Sequence, residues 1–120
     1  MGVGLMKSQF EPVLTALTRQ RGVTGCMVVS EADGIIVDSN LSIGMKGKVV
    51  AALAASLYRK ARHSASAAGF GNAQFLQLEA QRGHVCAVGR NDLVIVTVAE
   101  SRANVGLIRV EMMRQLSQLG

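Results

Sequence analysis

Three apolar runs constrain this chain more than anything else in it: CMVV at 26–29, VCAV at 85–88 and VIVTVA at 94–99. A strand that alternates apolar and polar residues buries one face. These runs are apolar on both faces, so the sheet they form needs a layer above it and another below. The 120 residues must supply those layers themselves. That length suits one domain, and no linker, repeat or low-complexity tail divides residues 1–120.

The covering layers are legible as helical periodicity. Phe10, Val13, Leu14 and Leu17 recur at i, i+3, i+4 and i+7, with Pro12 tolerated in the opening turn and Gly22 closing the segment. A hairpin follows over 23–30 and 35–40, with Gly34 suited to the positive φ of its turn. The pattern predicts a second helix over about 45–63 and a small, glycine-rich loop over 64–72. Strands are expected at 73–80, 84–89 and 93–99, joined by QRG and RND turns. Asn104 is a good N-cap for a last helix carrying Val105, Ile108, Met112 and Leu116 on one stripe.

This order of elements, together with GVTGCMVVSEADGIIVDSN, HVCAVGRNDLVIVTVAE and the stretch at 104–112, resembles the roadblock family of dynein-associated light chains and bacterial GTPase regulators, the MglB-like proteins among them. The resemblance implies an α+β fold: a five-stranded antiparallel sheet of order 2-1-5-4-3 between helices. It implies a homodimer formed by pairing third strands, with second helices side by side. It also implies a non-catalytic role as a platform for a small Ras-like GTPase, or as an adaptor in a motor or signalling assembly. The sequence supports the dimer separately. An exposed strand edge invites association unless proline, lysine or a bulge protects it, and the third strand, NAQFLQLEA, has none of these. Phe75, Leu76, Gln77 and Leu78 are the expected contacts.

Charge marks a second surface. No acid lies between Asp38 and Glu79, whereas Lys46, Lys48, Arg59, Lys60 and Arg62 do, so the net charge of +5 belongs to the second helix and its approach. A helical wheel puts Val50, Leu53, Ala54, Leu57 and Ala61 on the core stripe. Lys48, Ala52, Ala55, Arg59, Arg62 and His63 fall opposite and are the expected partner-binding residues.

Motifs for catalysis are missing. GMKGK at 44–48 lacks the spacing of a phosphate loop, no G-x-S-x-G is present, and Cys26, Cys86, His63 and His84 have no metal-finger spacing. The expectation is no enzyme, no metal and no cofactor, with both histidines at the surface and both cysteines as buried, unpaired thiols. Four aromatics, Phe10, Tyr58, Phe70 and Phe75, are too few for a base-stacking platform. Nucleic acid or an anionic membrane bound through the basic helix is therefore the more distant reading. The N-terminal MGVGLMKSQF lacks the plan of an export signal, and Met6 stands where myristoylation wants Ser or Thr. No apolar run reaches a membrane span, so the expected setting is the cytoplasm without integral membrane association.

Overall fold

The computed structural model describes residues 9–119. The first eight residues, which carry most of the stretch read for an export signal, lie outside them. Helix α1 (Glu11–Thr18) leads into β1 (Val23–Ser30) and β2 (Ile36–Leu41). Helix α2 (Gly47–Ala67) follows, then β3 (Leu76–Ala80), β4 (Gly83–Arg90), β5 (Leu93–Ala99) and α3 (Val105–Leu116). The sheet is antiparallel throughout, with order β2-β1-β5-β4-β3, as the resemblance implies.

The doubly apolar strands do what their composition requires. Along β1, Cys26 and Val28 enter a core with Leu14, Leu17, Ile108 and Met112 of α1 and α3, while Met27 and Val29 enter a second core beneath α2. All four strand residues are fully buried. Burying a side chain such as Val29 stabilises the fold by about 1.5–3 kcal/mol. A polar substitution anywhere in 26–29 therefore damages one core or the other.

Turn chemistry sets the register. Gly34 has φ +73°, and its N–H donates to the Ser30 carbonyl at 2.9 Å. Asn91 and Asp92 both hold positive φ, the tight two-residue geometry that matches strand twist between β4 and β5. At α3 the Asn104 side chain accepts from the Leu107 N–H at 3.1 Å, satisfying one orphan donor of the first turn. Gly22 does not end α1, which stops at Thr18. It holds φ +88° where its backbone crosses Ala103, and a Cβ there would lie 2.7 Å from the Ala103 Cβ. The loop expected at 64–72 lies instead at 68–75, because α2 runs on through Ala67 and β3 begins at Leu76 rather than 73.

Candidate protein-interaction surface

Helix α2 lies on the sheet through Ala51, Ala54, Ala55 and Tyr58, an i, i+3, i+4, i+7 set. The wheel above is thus wrong by a rotation, and Ala55 is a core residue at 1% exposure, not a partner contact. The physical reason is closeness. Alanines let the helix settle onto the strands, and the Tyr58 ring fits over Gly89, where any Cβ would stand 2.5 Å from Cε2. The Tyr58 hydroxyl donates toward the carbonyls of Gly89 at 3.4 Å and Ala73 at 3.5 Å. Burial pushes the phenol pKa upward. Centring the wheel on the leucines concealed this packing. A glycine inside a strand, opposite a tyrosine on a helix, was the available signal.

The rotation gives α2 two unlike flanks. One leans over β2 and the β1–β2 turn. Arg59 Nη1 donates to the Glu31 and Ala32 carbonyls at 2.6 and 3.2 Å. Arg62 grips the Glu31 carboxylate with Nε and Nη2 at 2.9 and 3.0 Å, and that hydrogen-bonded anion raises the guanidinium pKa further. Both arginines therefore anchor the hairpin as well as carrying charge. Lys48, Ala52, Lys60 and His63 are exposed. Lys48 and Ala52 also line a groove of about 490 Å³ with Asp33, Gly34, Ile35 and Ile36.

The other flank carries Val50, Leu53, Leu57 and Ala61, which the wheel assigned to the core stripe. Val50 does pack, partly buried, against the α2-side core. The flank lies on the side of α2 away from the β1–β2 turn, where Leu53 is 42% exposed, and Val49 on the outer surface of α2 is 63% exposed. Leu76 packs with Val85 against the α2-side core, and Leu78 follows on the same face at 37% exposure. Phe75 does not belong to this edge. It precedes β3 and packs, half-buried, against the α1/α3 core with the Arg109 guanidinium 5.0 Å from its ring centroid. Gln77 is exposed on the strand.

The groups capable of chemistry are scattered. Cys26 and Cys86 are free and buried, and both sit opposite Thr97, one on each side of β5. Burial, with Asp38 nearby, pushes the Cys26 thiol up to about 12, and burial pushes Cys86 up to about 11. His63 is at the surface as expected, but His84 is buried at 6% exposure, its Nε2 3.1 Å from the Ser101 carbonyl and its Nδ1 without a partner. Among the described residues no three His, Cys, Asp or Glu side chains gather into a metal-binding set. Among them, too, no helix is long and apolar enough to cross a membrane.

What this arrangement offers is an open strand edge and an apolar helix flank, with a basic row on the far flank. The Roadblock/LC7 domain family model matches residues 9–99. The chain belongs to the Roadblock/LC7 domain family. An uncharacterised protein of Methanocaldococcus jannaschii is 28% identical over 115 residues, covering 96% of this chain and 97% of its own. Among solved structures, the Roadblock/LC7 domain from Streptomyces avermitilis superposes with a TM-score of 0.80 at 19% identity, covering 93% of this chain and 95% of that one. Myxococcus xanthus MglB does so with a TM-score of 0.78 at 16% identity, covering 93% and 94%. At these identities the two structures carry the roadblock fold to this chain and nothing finer.

Proposed function

We propose that this roadblock domain is a non-catalytic homodimer that binds a small Ras-like GTPase. The observation that carries it is the β3 edge, unprotected and bearing exposed Leu78, on a domain whose α2 also leaves Leu53 and Val49 exposed. Pairing two β3 edges would continue the sheet and bring two α2 flanks together, hiding apolar surface that a monomer leaves in water. Gln77 and Leu78 with Leu76 form the strand contact, and Leu53 and Leu57 the helix contact.

The GTPase reading rests on family membership and on the acid-free helix. Lys48, Ala52 and His63 form the exposed row offered to the partner, while Arg59 and Arg62 on the same helix tie it to the β1–β2 turn. Charged rims set encounter rate and selectivity more than raw affinity. The test is binding of GTP-loaded and GDP-loaded Ras-like GTPases to the wild type and to a Lys48→Glu, His63→Glu double variant. The expected result is nucleotide-dependent binding whose association is slowed by the double variant. Equal binding to both proteins would place the docking surface elsewhere.

A further inference from the structure

The connections at one end of the sheet are much more basic than those at the other. Register aligns the start of β1, the ends of β2, β3 and β5, and the start of β4, because Gly25 opposes Leu41, Val23 and His84 oppose Ala99, and Ala80 opposes Gly83. The connections at that end therefore lie side by side: 19–22, 42–46, 81–82 and 100–104. They carry Arg19, Arg21, Lys46, Arg82 and Arg102, all exposed, against the single acid Glu100. The connections at the opposite end, 31–35, 68–75 and 91–92, carry Glu31, Asp33 and Asp92 and no lysine or arginine. Among the described residues the ion pairs are Arg62–Glu31 and Arg114–Glu111, so none of the five cations is neutralised by a carboxylate there.

At the basic end one residue is out of keeping. Ile43 is 105% exposed, the most open of the large apolar side chains among the described residues. It precedes Gly44, which has φ +88° and nothing within 4 Å of where a Cβ would stand, so the loop tip is clear of the protein body. The base of the loop is fixed, with the Ser42 N–H donating to the Thr24 carbonyl at 3.2 Å and Met45 Sδ against Gly25. The result is an anchored loop presenting one bare aliphatic side chain at the β2 edge of the basic end, with Lys46 in the same loop and Arg21, Arg102 and Arg82 successively farther across the sheet. Interfacial binding combines these two terms, apolar insertion at the headgroup boundary and attraction of Lys and Arg to anionic lipid.

We propose that this end of the domain docks on an anionic lipid surface, with Ile43 inserted among the headgroups and Arg21, Lys46, Arg82 and Arg102 against their negative charges. The surface shares no residue with the β3 edge or the row from Lys48 to His63, although Arg82 and Lys46 border them, and the inference does not rest on the GTPase reading. A protein or nucleic-acid partner fits less well. The apex residue is aliphatic where single-strand binding wants aromatic platforms, and it projects outward from the body.

The experiment is sedimentation of the full chain with phosphatidylcholine vesicles, with and without phosphatidylserine, at low and near-physiological salt. Binding is expected with phosphatidylserine only, weakening as salt screens the cations. Arg21→Gln with Arg102→Gln should weaken it about fivefold per charge removed. Ile43→Ser should weaken it about tenfold without changing thermal stability, since its side chain leans on nothing. Arg90→Gln, an exposed cation where β4 meets its turn at the other end, should leave it unchanged. Equal binding to both vesicle types, no binding to either at low salt, or binding untouched by the Ile43 and arginine changes would overturn the proposal.

Discussion

β2 and β3 are both edge strands of one sheet, and they are finished differently. In the β1–β2 ladder the Ser42 N–H is bonded to Thr24, so alternation turns the N–H groups of Ser39 and Leu41 outward. The Ser39 N–H is taken by the neighbouring Asp38 carboxylate at 2.8 Å. A charge, a bulge between Val28 and Val29 and the arginine-anchored turn complete the protection. At β3 the two-residue turn makes Ala80 and Gly83 a bonded pair, which turns the Gln77 and Glu79 N–H groups outward. Nothing comparable to Asp38 caps them, and the α2 flank away from the β1–β2 turn is apolar instead of basic. One edge is closed by local chemistry, and the other is left open.

That contrast can be broken at several points. Leu53→Asp places a charge in the proposed seam, and two-fold symmetry counts it twice. We expect a loss of about 3 kcal/mol in dimerisation, more than a hundredfold in Kd, measured by sedimentation equilibrium. Arg59→Ala acts on the β2 side only. It removes the donor to the Glu31 and Ala32 carbonyls and should lower stability by about 1 kcal/mol in denaturant titration without altering the assembly. Asp38→Ala frees the Ser39 N–H and should cost about 0.5 kcal/mol, again with unchanged mass in solution.

The smallest effect concerns the strands that define which edges exist. Cys26 and Cys86 flank the same strand, so they stand two spacings apart, about 9.6 Å, beyond the ~7 Å Cα reach of a disulfide. Titration of the denatured, unreduced protein should count two thiols, and the native protein should react slowly. The linkage has a definite sign. An exposed thiol ionises near 9.0, whereas these stay protonated to about 12 and 11 in the fold. Their contribution to stability is therefore complete below pH about 9 and is lost as pH rises above it.

Much of this was legible from residues alone. The doubly apolar runs dictated two covering layers, the turn glycine and RND placed the hairpins, and Asn104 marked the start of α3. What the sequence concealed was the rotation of α2. Leu53 and Leu57 looked like core because hydrophobicity is read without knowing how closely a helix approaches, and only Gly89 under Tyr58 reveals that distance. The same error moved Ala55 outward and made Arg59 and Arg62 look free, since their partner, the Glu31 turn, is about thirty positions away in sequence and adjacent only in the fold. The misplaced leucines sharpen the dimer argument, because residues apolar enough to be mistaken for core are left at the surface.

The central claim is that β3 is the edge at which two copies meet. Its most direct test is the solution mass of the wild type and of Gln77→Pro, a change that removes an outward N–H while sparing the β3–β4 ladder. By light scattering at tens of micromolar, the account predicts twice the 12.7 kDa chain mass for the wild type and the single-chain mass for the variant, with both still folded. A monomeric wild type, or a Gln77→Pro protein that remains fully dimeric, would contradict it.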